Sequence, residues 1–207
     1  MLYQKYINSR YFTHRSQEVE GRLLVDNGNR RPIFIGAGAN LPHPSYDSPR
    51  ETLQAALLEV DRRQVRVLRY SRWYRTAPVP ASDQPWYVNV VAEIATSLGA
   101  DELLAVLHEI EDLFGRVRSV PNAARLIDLD LLDYRRETAP PGPSRATLPH
   151  PRMTGRAFVL RPLADLAPDW RHPVSGASIR ELLTALPPDQ IAEPFGPAGL
   201  PFGQGRV

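Results

Sequence analysis

The sequence predicts an α+β sandwich. Four short stretches rich in aliphatic and β-branched residues read as strands, at 32–41, 65–74, 87–96 and 126–132. Two stretches between them, 48–62 and 98–114, repeat large apolar residues at helical spacing. Their chain order is βαββαβ, which suits a ferredoxin-like split arrangement, an antiparallel sheet with helices packed on it, plus extra C-terminal elements.

Each element has a local cause. Pro32 to Leu41 is an apolar strand running into Gly36-Ala-Gly38, which reads as a tight glycine turn or a weak phosphate-binding signal. Ser48, Pro49 and Glu51 start a helix as N-cap, first-turn proline and capping-box acid, and Leu53, Leu57 and Val60 continue it. Val65 to Tyr74 is a second strand, and the proline-rich segment from Arg75 to Pro85 is a loop. Tyr87 to Thr96 is a third strand, with Val88, Val90, Ala92 and Ile94 on one face and Tyr87, Asn89, Val91 and Glu93 on the other. Leu103, Leu107, Ile110 and Phe114 form the stripe of the second helix, which Gly115 ends. Glu109 and Glu111 lie near that C-terminus, where the helix dipole disfavours them, so one of them is expected to have a partner beyond the helix. After a proline-rich loop at 135–146 come an apolar run at 157–163 and a last short helix at 178–186. Residues 1–31 read as a flexible N-terminal extension, 32–186 as the folded domain, and 187–207 as a poorly ordered Pro/Gly-rich tail.

The chemistry concentrates between Glu109 and Tyr134. Asp128 and Asp130 are two residues apart on a strand, so both carboxylates point to one face. Adjacent carboxylates repel, and a hard divalent cation such as Mg²⁺ relieves the repulsion. Arg116, Arg118 and Arg125 stand nearby as counter-charges for a polyphosphate; the bland alternative is a solvated strand end beside a basic loop. Tyr87 and Asn89 share a strand face, as a flat heterocycle would need for stacking and amide hydrogen bonds, or as an ordinary half-exposed pair would. His150 reads as a phosphate donor, an acid–base group or a loop-packing residue.

Composition excludes other classes. The 207 residues carry a net charge of +2 and no cysteine, so nothing points to bulk nucleic-acid or membrane attraction, to disulfides or to thiolate metal sites. No run approaches the ~18 apolar residues of a membrane span. A cytoplasmic monomer is the expectation.

Six segments, 35–41, 71–79, 83–91, 109–118, 124–132 and 148–169, follow one another in an order that resembles the 6-hydroxymethyl-7,8-dihydropterin pyrophosphokinase family of folate biosynthesis. The resemblance covers roughly residues 32–185 and implies a ferredoxin-like fold. It also implies transfer of pyrophosphate from ATP to the pterin hydroxymethyl group, releasing AMP. It implies Asp128 and Asp130 as ligands of two Mg²⁺ ions, and Arg118 and Arg125 as catalytic residues that close over the nucleotide. ATP contacts would come from Glu111, Arg116, Arg118, Arg125, Arg145, Thr147, His150 and Arg156. The pterin would meet Thr76, Val79, Tyr87, Asn89 and Phe158, with Tyr87 and Phe158 sandwiching the ring. The loop from Ser119 to Arg125 departs from the family pattern: it is one residue shorter and has no Trp. The alternative readings are a divergent paralogue acting on another pterin, a ferredoxin-like RNA-binding module, and a two-metal nuclease.

Overall fold

The computed structural model describes residues 31–116, 124–142 and 145–199. Most of the N-terminal extension, Arg118 with the segment 119–123, and 200–207 lie outside the described residues. The described elements are β1 (Ile33–Ala39), α1 (Pro49–Asp61), β2 (Val65–Tyr70), β3 (Trp73–Thr76), β4 (Tyr87–Thr96), α2 (Ala100–Leu113), β5 (Asp128–Tyr134), a 3₁₀ turn (Met153–Gly155), α3 (Ala157–Leu166), α4 (Ile179–Thr184) and β6 (Ala192–Phe195).

All strand pairs are antiparallel, in the order β5-β1-β4-β3-β6, with β2 also on β4. The strand expected over 65–74 is two strands. Between them the Ser71 N–H donates to the Val91 carbonyl at 2.9 Å, and the Ser71 hydroxyl accepts the Val91 N–H at 3.1 Å. A side chain thus takes over one rung of the ladder, and the strand bends there.

Three further expectations need correction. Gly36 and Gly38 lie inside β1 and form no turn. Glu51 accepts from the Asp47 N–H at 3.0 Å, one residue upstream of a full capping box, while Ser48 accepts the Glu51 N–H as expected. The tail is structured at its start: β6 pairs with β3 from Ala192↔Thr76 to Phe195↔Trp73. Pro194 is tolerated because β6 is an edge strand.

One sheet face is closed by α1 and α2. Leu53, Leu57 and Val60 of α1 and Leu103, Leu107 and Ile110 of α2 pack on Ile35, Val90, Ala92, Ile94 and Leu129. On the other face α3 lays Val159, Leu160 and Leu163 over Phe34, Val91 and Leu132. That second cover stops halfway along the face. Among the described residues, no helix is long and apolar enough to cross a membrane.

Candidate active site

The uncovered half begins where α3 begins, and strand register dictates its contents. Gly38 of β1 is paired with Asn89 on one side and Asp128 on the other, and Gly36 with Val91 and Asp130. Paired residues share a face, so two glycines separate the acidic row of β5 from the amide row of β4. The result is a trough whose floor carries no side chains of its own; Asn89 reaches over the buried Gly38, and Leu132 lies against Gly36. A Cβ on Gly38 would sit 2.6 Å from Asn89 Oδ1, so the glycine is required for Asn89 to lie as it does.

The two aspartates have different surroundings. Asp128 is held by two arginines, Arg116 Nη1 at 2.7 Å from Oδ1 and Arg125 Nη1 at 2.7 Å from Oδ2. Asp130 faces His150 Nε2 at 3.8 Å, beyond hydrogen-bond range, and its side chain keeps 31 % exposure. Burial, then the Asp128 charge, push the Asp130 carboxyl above its usual range, while His150, Arg156 and Arg116 oppose the shift. Asp128 is thus ion-paired on both oxygens, while Asp130 has no arginine in direct contact among the described ion pairs.

Both helix-end acids have partners outside α2, and those of Glu111 are the buried ones. Glu111 is fully buried, accepts the Leu129 N–H at 2.7 Å and forms an ion pair with Arg116. It thereby locks α2 to β5 and aims Arg116 at Asp128. Glu109 instead pairs with Arg63 at the surface, at 3.2 Å.

His150 is placed by its own N–H, which donates to the Leu132 carbonyl at 2.8 Å. Its Nδ1 accepts the Arg152 N–H at 3.2 Å, so the neutral ring carries its proton on Nε2, toward Asp130. Burial first, with Arg156 and Arg152, lowers the His150 pKa and favours that neutral ring; Asp130 and Asp128 oppose. Arg156 stacks on Phe158 at 5.2 Å, just ahead of α3. Burial lowers its pKa most, then Arg152, against the pull of Asp130 and Asp128.

On the other bank, Asn89 Nδ2 donates to Thr76 Oγ1 at 2.7 Å, and both residues are buried. This bond leaves Asn89 Oδ1 over the glycine floor. Tyr87 donates to Gln84 Oε1 at 3.2 Å. Burial raises its pKa most, and the Arg125 charge opposes the rise.

The structure therefore brings together Glu111, Arg116, Arg125, Asp128, Asp130, His150, Arg156 and Phe158 on one bank, and Thr76, Tyr87 and Asn89 on the other. Arg145 is exposed, and its neighbour Ala146 donates its N–H to Asp101 Oδ1 at 2.8 Å, at the start of α2. Thr147 is half-buried next to that anchor, and Val79 is exposed on its loop. Arg118 lies outside the described residues. Sequence reasoning assigned no role to Asn40 or Gln84. Asn40 is buried at the end of β1 and contacts both Gln84 and Arg125.

The site so described joins paired carboxylates and convergent arginines to a buried amide across two glycines. Comparison with known proteins gives its class. The family model for 7,8-dihydro-6-hydroxymethylpterin-pyrophosphokinase matches residues 34–168. The chain is 40% identical over 156 residues to the 2-amino-4-hydroxy-6-hydroxymethyldihydropteridine pyrophosphokinase of Pseudomonas aeruginosa, covering 75% of this chain and 91% of that protein. It is 39% identical over 150 residues to the Synechocystis protein of the same name, covering 72% and 73%. Among solved structures, a Plasmodium falciparum HPPK-DHPS triple mutant matches with a TM-score of 0.57 at 14% identity, over 78% of this chain and 44% of that one, which shows likeness of fold. The chain belongs to the 7,8-dihydro-6-hydroxymethylpterin-pyrophosphokinase family. It is a diphosphotransferase.

Proposed function

We propose that the trough carries out the family reaction with the residues named above, using ATP and 6-hydroxymethyl-7,8-dihydropterin. The pterin hydroxymethyl oxygen bonds to the β-phosphorus of ATP and gives up its proton to water, the bond from that phosphorus to the α,β-bridging oxygen breaks, and AMP leaves. The observation that carries this reading is the register that sets Asp128 and Asp130 across two glycines from Asn89. A ferredoxin-like sheet is supported by the strand order, with β2 and β3 as one bent strand.

The donor set fits magnesium: two hard carboxylates on one face, with Asp130 pushed toward protonation by burial and then by the Asp128 charge. When bound, the metal supplies charge neutralisation to the polyphosphate and orients it. Among the described residues, no cluster of three or more His, Cys, Asp or Glu side chains is present, so phosphate and water oxygens would complete the coordination.

The chain's own residues position and neutralise. Arg116 and Arg125 already lie against Asp128 and are placed to meet phosphate oxygens. His150 presents Nε2–H, and Arg156 adds a fixed positive charge ahead of α3. Asn89 Oδ1 accepts from the ring's amide edge, because Thr76 holds the other end of that amide. Tyr87 and Phe158 supply flat surfaces for the ring. Catalysis rests on orientation and electrostatics, without a protein nucleophile.

The test is product analysis with ATP, Mg²⁺ and 6-hydroxymethyl-7,8-dihydropterin, separating AMP from ADP. Pterin-dependent AMP with a matching pterin diphosphate is expected. ADP, or no nucleotide turnover with pterin still bound, would overturn the assignment in favour of a divergent paralogue.

A further inference from the structure

Asn40 lies just past β1, 2 % exposed, and its hydrogen bonds run to two loops that carry substrate residues. Toward the nucleotide bank, Oδ1 accepts the Arg125 N–H at 2.8 Å, while the Asn40 and Leu41 N–H groups donate to the Arg125 carbonyl at 3.1 and 3.2 Å. Toward the pterin bank, Nδ2 donates to the Pro85 carbonyl at 3.1 Å and to Gln84 Oε1 at 3.3 Å. Gln84 Oε1 in turn accepts from the Tyr87 hydroxyl at 3.2 Å.

We propose that Asn40 is a positioning residue that fixes Arg125 over Asp128 and, through Gln84, fixes Tyr87, so that one buried amide sets both banks of the trough. The inference rests on the functional reading above. Its physical basis is the two-ended primary amide, one acceptor and two donors at fixed angles. The backbone of Arg125 is gripped at N–H and C=O by 40–41, and its guanidinium is gripped by Asp128 at 2.7 Å. With both ends held, the arginine enters the site without a rotamer search. Asp at position 40 would keep the acceptor but set a negative oxygen against Pro85 O and Gln84 Oε1. Only an amide serves both directions. A structural role alone, capping loose backbone at a strand end, predicts lower stability and no link to particular substrates.

A double-mutant cycle separates the two. Asn40→Ala is expected to lower kcat/KM for ATP about tenfold in the native background, and by less than about twofold in Arg125→Ala, because its effect acts through that arginine. An equal loss in both backgrounds would overturn the proposal. Gln84→Ala removes the link from Asn40 to Tyr87 at a half-exposed position, so it decides the matter if Asn40→Ala does not fold. It is expected to raise KM for the pterin about fivefold and KM for ATP by less than about twofold, the smaller effect passing through the Tyr87–Arg125 contact. If both constants rise equally, or neither moves, the second arm is wrong.

Calorimetric titration of each variant with the pterin and with a non-hydrolysable ATP analogue plus Mg²⁺ gives the same comparison without turnover. Native protein that binds both ligands but makes no AMP removes the functional reading while the dissociation constants still judge Asn40. Native protein that binds neither removes both.

Discussion

On one face of the sheet β1 contributes Ile33, Ile35, Ala37 and Ala39; on the other it contributes Phe34, Gly36 and Gly38. The first set is sealed beneath α1 and α2 in a continuous apolar layer. On the second face only the Phe34 half is covered, by α3. The glycine half carries no side chains of its own between Asp128 and Asp130 on one side and Asn89 and Val91 on the other. The same strand thus builds one core with its odd-numbered residues, a second with Phe34, and a side-chain-free stretch with Gly36 and Gly38. Substitutions on the closed face should cost stability, and those on the open face should cost chemistry.

The largest separation is expected at the aspartates. Asp130→Ala should lower turnover by roughly a thousandfold. It should leave the melting temperature equal or slightly higher, since a carboxylate repelling Asp128 is gone. Steady-state AMP formation and thermal melting check the pair of outcomes. On the closed face, Leu107→Ala, at a fully buried position, should cost about 2–5 kcal/mol in a urea titration while leaving kcat near native below the transition.

Gly38→Ala probes the floor itself. The added methyl meets Asn89 Oδ1, the end of a side chain, so the fold survives and the amide is displaced. The kcat/KM for the pterin should fall about tenfold, with a smaller change for ATP. If the two substrates suffer equally, the assignment of the banks is wrong.

The smallest effect marks the seam between the covered and open halves. Tyr74, opposite Asn89, donates to Asp165 of α3 at 3.0 Å, and Arg72 Nη2 pairs with the same carboxylate at 2.8 Å. Burial first, and then the Asp165 charge, push the Tyr74 pKa up to about 12. The folded state keeps a proton that the unfolded chain loses near 10. The corresponding stability is fully present below pH 10 and is lost as pH rises from 10 toward 12. Spectroscopic titration should show Tyr74 ionising last. In Asp165→Asn its pKa should move down while staying above the usual value, because burial remains.

What the sequence disclosed follows the range of the interactions. The shared face of Asp128 and Asp130 was legible from strand alternation alone. The outside partner of the helix-end acid was legible from the dipole, and Glu111 has one. Gly36 and Gly38 misled because glycine's commonest local meaning is a turn. Here the demand is non-local, the approach of Asn89 from the next strand. β6 was hidden because Ala192–Phe195 contains a proline and lies in a Pro/Gly-rich stretch, and only the free edge of β3 makes it a strand. Asn40 gave no signal because its side-chain partners lie 44, 45 and 85 residues away.

The most direct test of the trough as a metal–nucleotide site is manganese titration followed by electron paramagnetic resonance. It should be run with a non-hydrolysable ATP analogue on native protein and on Asp130→Ala. Tight nucleotide-dependent manganese binding to the native protein, lost in the variant at an unchanged melting temperature, is the predicted result. Equal manganese binding by both proteins would contradict the assignment of the acidic pair.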